Sequence, residues 1–198
     1  MHGPFRTVLT APYGYHVGMS RDRLTVTSFL VLGLIALRGP STSYDLKRAS
    51  GHSIGYFWPF PHAQLYSEPR KLADAGLLTV EEEANGRRRQ TFSITEEGRE
   101  ALVAWLDQPI TDPMQIRDVA ELKLFFSELM GPDTERRLAA DQIKQHTARL
   151  AEYHSIQERF ADRADVASRM IPLELGIAMT EAALAFWVDL AERLDPED

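Results

Sequence analysis

Apolar positions at the start of the chain predict two consecutive helices. Residues 25–37 are apolar on nearly every side and form a run too long for a strand, which indicates a buried helix. The pair Gly39-Pro40 is expected to end this helix. Residues 41–50 begin with the serine or threonine type that caps helices and predict a short second helix, with Tyr44 expected in the core.

A third helix is predicted over residues 62–78. Leu65 and Leu72 recur on one face at helical spacing, and Gly76 suits the C-terminal end. Pro69 lies in the middle of this segment, where it removes the amide that would bond to the Leu65 carbonyl. We therefore expect either a kink or an irregular first turn.

A hairpin and a fourth helix complete the first half of the chain. Two strand-like runs, residues 77–83 and 89–95, flank an Asn-Gly pair, the strongest short-range hairpin signal. Residues 95–108 then open with a threonine cap and predict a helix. The order helix, helix, helix, hairpin, helix is that of a winged helix-turn-helix, in which the hairpin is the wing and the third helix reads DNA.

After Pro109 and Pro113 the pattern changes to amphipathic helices. Residues 117–130 place apolar side chains on one face, and residues 133–163 predict a long charged helix with a coiled-coil-like seam. The last helix is expected to start near Pro172 and is apolar on two sides, so it needs both the long helix and a second copy of the chain as neighbours. The residues predicted for dimerisation are Leu150, Tyr153, Leu173, Ile177, Leu184, Trp187 and Leu194.

Together these elements predict a mainly α fold in three parts. Residues 1–20 are expected to form a flexible arm, because they mix Pro, Gly, Tyr and His without a period. Residues 21–108 are expected to form the winged helix-turn-helix domain, with its two-stranded wing. Residues 114–198 are expected to form a helical, coiled-coil-like dimerisation domain.

The acidic net charge of −7 belongs to the second half of the chain. Residues 101–198 hold 19 Asp and Glu against 10 Lys and Arg, whereas residues 20–100 hold 10 against 11. The predicted winged helix is therefore not acidic, and the overall charge does not argue against contact with nucleic acid.

Composition limits the other classes of function. The chain has no cysteine, which excludes disulfides and thiolate metal sites and fits a reducing cytoplasm. The histidines are scattered, and neither H-E-x-x-H nor a D-x-D-x-D-G loop occurs, so we expect no metal and no cofactor. No uninterrupted apolar run reaches about 18 residues, so no membrane span is expected.

Several segments of the first half resemble the PadR family of transcriptional regulators, in particular its longer members, in which a helical dimerisation domain follows the winged helix. Ser43 departs from the family pattern, which has a glycine before the tyrosine, and so does Pro69, where a helix former is usual. The matching segments are Leu32 to Leu34, Gly39-Pro40 with Tyr44-Asp45-Leu46, Leu65-Tyr66 through Leu72 to Gly76-Leu77, and Phe92 to Thr95 with Gly98.

The resemblance implies a homodimer that binds an inverted-repeat operator in double-stranded DNA and usually represses transcription. It also implies a small, often aromatic, effector that lowers the affinity for DNA. On this reading the chain is not an enzyme. The alternative is a winged helix that binds another protein, with the dimer serving as a scaffold.

The candidate DNA contacts lie on the third helix, the wing and the second helix. Gln64 can pair with adenine through two hydrogen bonds. The resemblance implies that Tyr66 contacts the phosphate backbone, and packing against the wing is the alternative for this side chain. The wing arginines suit phosphate or minor-groove contact, although they could merely offset the glutamates of the preceding strand. The predicted DNA-binding residues are Lys47, Arg48, His62, Gln64, Tyr66, Ser67, Arg70, Lys71, Arg87, Arg88 and Arg89.

Three tryptophans, Trp58, Trp105 and Trp187, are candidates for stacking on a planar effector. Core packing is the alternative for each of them, because aromatic residues at helical spacing are usually buried.

The stretch Gly51-His52-Ser53-Ile54-Gly55 matches the G-x-S-x-G pattern of serine hydrolases. A nucleophile elbow needs a strand before the serine and a helix after it, on a parallel sheet. The pattern here follows a predicted helix, so a chance match is the favoured interpretation, with Gly51 ending the second helix. Hydrolysis through Ser53 is kept as a minor alternative.

Overall fold

The computed structural model of the protein describes residues 24–51, 54–58, 61, 63–83 and 89–195. Chain packing divides it into two compact units between residues 111 and 112. The predicted arm over residues 1–20 lies outside the described residues.

The first unit has the order predicted from the sequence: three helices, a hairpin and a fourth helix. A short 3-10 turn, Ile54–Tyr56, lies between the second and third helices. The elements are α1 (Val26–Arg38), α2 (Ser43–Gly51), α3 (Gln64–Asp74), β1 (Leu78–Glu82), β2 (Gln90–Ile94) and α4 (Glu96–Leu106).

Both ends of α1 are fixed by local chemistry. Thr25 is the N-cap, and its side chain accepts from the amide of Ser28, while the Ser28 side chain accepts from the amide of Thr25. At the other end Gly39 has a φ of +82°, and its amide donates to the carbonyl of Ile35. A side chain at position 39 would be strained in this conformation, which is why the helix ends where the Gly-Pro pair predicts.

The core of the first unit forms where α1 crosses the other elements. Its fully buried side chains are Val31, Leu32, Ile35, Leu46, Leu65, Leu72 and Phe92.

Tyr44 is not part of the first unit's core, and the prediction that it would be was wrong. Its side chain is 64% exposed. Leu46 and Ser50, four residues apart, form the buried face of α2. A residue two positions before Leu46 lies on the opposite side of a helix.

Pro69 is accommodated inside α3. The helix runs through it, and the proline ring is buried between Leu65 and Leu72 on the inward face. The start of the helix is tightened, because the amide of Tyr66 donates to the carbonyl of Ala63, three residues back. The helix is therefore not interrupted, and the irregularity lies in its first turn.

The end of α3 is a Schellman motif. The amide of Leu77 donates to the carbonyl of Leu72, and the amide of Gly76 donates to the carbonyl of Ala73. Gly76 has a φ of +80°, as this motif requires. The turn leads directly into β1.

The two strands pair in antiparallel register, with Leu78 opposite Ile94 and Val80 opposite Phe92. Ser41, in the turn between α1 and α2, adds a bridge at Phe92 through two backbone hydrogen bonds of 3.0 and 2.9 Å. The wing is thereby attached to the helix-turn-helix by backbone bonds as well as by packing.

The second unit consists of α5 (Val119–Phe125), α6 (Pro132–Phe160) and α7 (Ala167–Leu194). The helix predicted over residues 117–130 is shorter than expected and continues as a 3-10 turn. The last helix starts at Ala167, five residues before Pro172, so the prediction of a first-turn proline was wrong. The position is tolerated because Ser168, whose carbonyl loses its amide partner, is exposed to water.

The core of the second unit is small. Ala120, Ala139 and Trp187 are buried together, with Leu124 and Ile143 packed around them. The large apolar side chains expected on one face of α5 are exposed within a single chain. They are Val119, Leu122, Phe125, Phe126 and Leu129.

By length and composition alone, residues Ala164–Leu194 could cross a membrane. Mean hydropathy reaches 1.4 over 18 residues, and 17% of that window is buried within the chain. The sequence expectation considered only uninterrupted apolar runs, whereas this helix is interrupted by Glu174 and Glu181. Helices of soluble proteins that pack against neighbours can reach the same length and mean hydropathy.

Candidate nucleic-acid interface

The α3 helix presents a polar face to solvent. Leu65, Pro69 and Leu72 hold its inner face in the core. Helical periodicity places Ser67, Arg70 and Lys71 opposite that face, with Gln64 and Tyr66 on the two flanks. These five predicted DNA-binding residues are all exposed. His62 lies outside the described residues.

Two acidic residues of α3 pair with the basic side chains on its exposed face. Arg70 Nε lies 3.1 Å from Asp74 Oδ1, and Lys71 Nζ lies 3.6 Å from Glu68 Oε2. Both basic side chains are more than half exposed. The guanidinium of Arg70 therefore keeps donors that can reach a base edge or a phosphate.

The N-terminal end of α1 is hydrogen-bonded to α3 at two places. Thr27 Oγ1 donates to Gln64 Oε1 at 2.9 Å, and Ser28 Oγ donates to Glu68 Oε1 at 2.6 Å. Ser28 is 1% exposed, so the second bond is protected from water. Gln64 and Glu68 are four residues apart and face α1 together.

One wing arginine contacts α2 rather than only solvent. Arg89 Nη2 lies 3.5 Å from Asp45 Oδ2, and 58% of its side chain is exposed. Arg87 and Arg88, which the sequence predicts at the tip of the hairpin, lie outside the described residues. Their predicted DNA contacts stay predictions, as does that of Arg89.

Asp45 is also tied to the start of its own helix. Its carboxylate accepts from the hydroxyl of Thr42 at 2.6 Å and from the amide of Thr42 at 3.0 Å. The hydrogen bond from the Thr42 hydroxyl holds the pKa of Asp45 below its ordinary value, and the bond from the Thr42 amide and the charges of Arg89 and Arg48 act in the same direction. The carboxylate is therefore ionised at neutral pH.

Lys47 and Arg48 are exposed on α2. They follow Asp45 along the helix, on the side away from the buried Leu46 and Ser50. Their position is compatible with phosphate contact and equally with solvation alone, so the assignment stays a prediction.

The three tryptophans have different surroundings. Trp105 stacks on Phe29, with ring centroids 4.8 Å apart and planes at 4°. Trp187 is 3% exposed and meets Phe186 edge to face. These two rings are used in packing. Trp58 is half-buried beside the 3-10 turn. Stacking on an effector stays a prediction for all three.

A cleft of about 350 Å³ lies where α6 turns into α7. Phe160, Met170 and Leu173 supply its apolar lining, and Arg163 and Glu174 supply charges. None of the three tryptophans is among the residues lining it.

The seven residues predicted for dimerisation are largely buried by contacts within one chain. Tyr153, Ile177 and Trp187 are buried in the second unit, and the other four are partly buried. Such side chains have little surface left for a second chain, so their role stays a prediction. The large apolar side chains of α7 that are exposed are instead Ile171, Leu175, Met179, Phe186 and Val188.

The local structure around the G-x-S-x-G stretch is not that of a nucleophile elbow. Gly51 is the last residue of α2, and Ile54 begins the 3-10 turn. A helix thus precedes the serine where an elbow has a strand. His52 and Ser53 themselves lie outside the described residues.

Sequence reasoning missed Thr27 and Asp45 as contributors to this surface. Thr27 lies in an apolar run that indicates a buried helix, and its partner is 37 positions away along the chain. Asp45 shows only a capping signal, three residues after Thr42. Neither pattern reveals the contact with α3 or with the wing.

Comparison with known proteins finds a family match for each half of the chain. The family model of the transcriptional regulator PadR-like family matches residues 31–104, and that of the virulence activator alpha C-terminal domain matches residues 116–195. The negative transcriptional regulator PadR of Bacillus subtilis is 28% identical over 153 residues, which cover 75% of this chain and 82% of that protein.

Solved structures have the same fold. The structure of Bacillus subtilis PadR in complex with operator DNA matches with a TM-score of 0.78 at 22% identity, covering 86% of this chain and 99% of the other. The same protein in complex with p-coumaric acid matches with a TM-score of 0.72 at 22% identity, covering 87% and 97%. The Vibrio cholerae virulence activator AphA matches with a TM-score of 0.66 at 26% identity, covering 84% and 96%.

The element order of the first unit, the helices of the second and the two consecutive family matches agree with one another. The chain therefore carries a domain of the PadR-like family of transcriptional regulators, followed by a C-terminal helical domain of the virulence activator alpha type.

Proposed function

We propose that this protein is a cytoplasmic, homodimeric repressor that binds an inverted-repeat operator. The observation that carries the proposal is the exposed polar face of α3 beside a wing joined to the same unit by Ser41, Phe92 and the Arg89–Asp45 pair. The fold is shared with a protein whose structure contains operator DNA, which supports the same use of α3 here.

In the proposed complex α3 enters the major groove and the wing follows the backbone. Ser67, Arg70 and Lys71 project from the centre of the exposed face, where they can reach base edges and phosphates. The wing arginines add affinity that does not depend on sequence. The two functions are separable, because base contacts set sequence preference while phosphate contacts set the salt dependence.

The second copy of the chain is proposed to cover α7. Ile171, Leu175, Met179 and Phe186 recur at spacings of four and seven, which places them along one side of the helix. They are exposed, and the residues between them at 178, 182 and 185 are alanines, which permit close approach. Contact with a second chain also accounts for the apolar character of α7 without a membrane.

Release by a small aromatic effector is the remaining part of the proposal. It is supported by the complex of Bacillus subtilis PadR with p-coumaric acid. Trp58, Trp105 and Trp187 are the candidate residues, and each is to be substituted in turn in an effector screen.

The test is fluorescence anisotropy of the purified protein with its own upstream DNA and with a scrambled duplex, at several salt concentrations. Tight binding to the upstream DNA only, with a steep salt slope and two chains per duplex, is the expected result. Weak and equal binding to both duplexes, persisting with duplexes selected from a random library, overturns DNA reading and favours the protein-binding scaffold.

A further inference from the structure

The hydrogen bond from Thr27 holds the side chain of Gln64, the first residue of α3. From this geometry we infer that Thr27 is a positioning residue for sequence reading: it fixes the Gln64 carboxamide with its nitrogen available to a base. The inference rests on the proposed function, since it assumes that α3 lies in the major groove. Thr27 itself touches no base.

The part of α1 that carries Thr27 is held firmly against α3. Ser28, the next residue of α1, accepts from the amide of Thr25 at 2.9 Å and donates to Glu68 at 2.6 Å. The Glu68 side chain is only 13% exposed and also pairs with Lys71. The end of α1 is thus held against α3 by a protected hydrogen bond one residue away from Thr27.

Without Thr27 the Gln64 side chain would be unrestrained at the start of an exposed helix. Its three rotatable bonds would have to be ordered when DNA binds, which opposes association. The 2.9 Å bond to Thr27 orders the carboxamide before DNA arrives. Preorganisation of this kind raises the affinity for the matching base without adding a contact.

The direction of the bond predicts which base edge is preferred. The Thr27 hydroxyl occupies one acceptor position of Gln64 Oε1, so the two hydrogens on Nε2 remain free to donate. Guanine N7 and O6, adenine N7 and thymine O4 are acceptors in the major groove, whereas cytosine presents its N4 amino group. We expect Gln64 Nε2 to donate to one of these acceptors at the operator position that it reads.

The experiment is selection of bound duplexes from a library with a randomised centre, sequenced for the wild type and for each variant. Gln64→Ala identifies the operator position that Gln64 reads. Thr27→Val removes the hydroxyl and keeps the shape, and should reduce the preference at that same position by about two- to tenfold, with the salt slope unchanged. Thr27→Ser should retain the preference, because it keeps the hydroxyl.

Two controls separate positioning from general damage. Thr134→Val is a matched substitution on α6, in the other unit, and should change neither the preference nor the salt slope. Thr27→Val should also have no effect on the preference when Gln64 is already alanine. Such a result cannot arise from a general loss of folding, and circular dichroism of each variant checks that the helix content is retained.

The outcomes distinguish the two levels of the proposal. Equal recovery of all sequences by the wild type overturns the proposed DNA reading, and the role of Thr27 falls with it. If the wild type selects an operator and Thr27→Val keeps the full Gln64-dependent preference, DNA reading stands and the positioning role is overturned.

Discussion

Arg89, the residue just before β2, lies with its Nη2 3.5 Å from Oδ2 of Asp45 on α2. The contact joins the base of the wing to the helix-turn-helix. The carboxylate that receives it is already ordered by Thr42, so it is a fixed anchor rather than a mobile surface charge. Among the wing arginines, Arg89 therefore has a described protein partner at the base of the wing.

The pairing of Arg89 with Asp45 predicts that this arginine contributes less than a full phosphate contact to the salt dependence of binding. Each phosphate contact contributes about 0.9 to the slope of log K against log salt for duplex DNA. Replacing Arg87 and Arg88 by glutamine should lower the slope by nearly two such contributions. Arg89→Gln should lower it by less than one, because Asp45 competes with phosphate for this guanidinium. Anisotropy titrations across salt concentrations measure the slopes.

Arg137→Gln is the matched control for the wing variants. Arg137 is exposed on α6 and donates to Thr134, so its loss should leave the slope unaltered. A slope lowered as much by Arg89→Gln as by Arg87→Gln would mean that Asp45 does not restrain Arg89 in the complex.

Asp45 also predicts a pH-dependent contribution to stability. Because hydrogen bonding from Thr42 lowers the pKa of Asp45 in the folded chain, its contribution is fully present above the unfolded pKa and is lost as the pH falls through the folded pKa. Asp45→Ala should lower the free energy of unfolding at pH 7 by about 1 kcal/mol, the usual value of a helix cap. The deficit should shrink as the pH falls below the ordinary value of 3.8.

Urea unfolding followed by circular dichroism, in steps from neutral to acidic pH, measures this difference. Asp74→Ala is the control, since the Asp74 side chain forms an exposed pair with Arg70, four residues before it. A deficit for Asp45→Ala that stays constant through the acid range would show that the ionised carboxylate is not the stabilising species.

The sequence was sufficient for features that depend on short-range patterns. The alternation of Leu65 and Leu72 with polar residues predicted both α3 and its buried face. Gly39 and Gly76 predicted two helix ends, because both positions have a positive φ that other residues adopt with strain. The Asn-Gly pair predicted the hairpin between β1 and β2.

Features that depend on contacts distant in sequence could not be predicted. The bond of Thr27 to Gln64 and the approach of Arg89 to Asp45 arise only when α1, α2 and the wing pack together. The start of α7 was misplaced because a proline signal was weighted above the helix-forming residues before Pro172. A helical pattern also cannot show whether an apolar stripe meets its own chain or another.

Gly98, near the start of α4, is predicted to be intolerant of any side chain. A methyl group there would overlap the carbonyl oxygen of Leu77 and approach Ile94 Cγ1 to 3.0 Å. The Leu77 oxygen cannot move away easily, because it accepts from the amide of Thr95, the cap of α4. Gly98→Ala should therefore lower the free energy of unfolding by about 1–3 kcal/mol, the usual cost of overpacking.

Gly33→Ala is the matched control and should have the opposite sign. Gly33 lies inside α1, and a methyl group there would meet no atom within 4 Å. Alanine favours helix over glycine by about 0.5–1 kcal/mol, so this variant should be more stable than the wild type. Urea unfolding of both variants measures the two changes, and full stability of Gly98→Ala would contradict the packing described at the start of α4.

The exposed stripe of α7 predicts which substitutions separate the two chains of the proposed dimer. Leu175→Glu and Phe186→Glu would each place a charge in the apolar contact, and twofold symmetry introduces the charge twice. At about 2 kcal/mol or more for each copy of a central side chain, the dissociation constant should rise by roughly a thousandfold.

Glu181→Lys changes charge about a quarter-turn away from the stripe and should leave the dimer intact. Sedimentation equilibrium measures the association, and circular dichroism verifies that the separated chains retain their helices. Dimers that persist in both glutamate variants would place the contact elsewhere, the exposed side chains Phe125 and Leu129 of the α5 region being next. Loss of operator affinity together with loss of the dimer is expected, because a single winged helix contacts only one half-site.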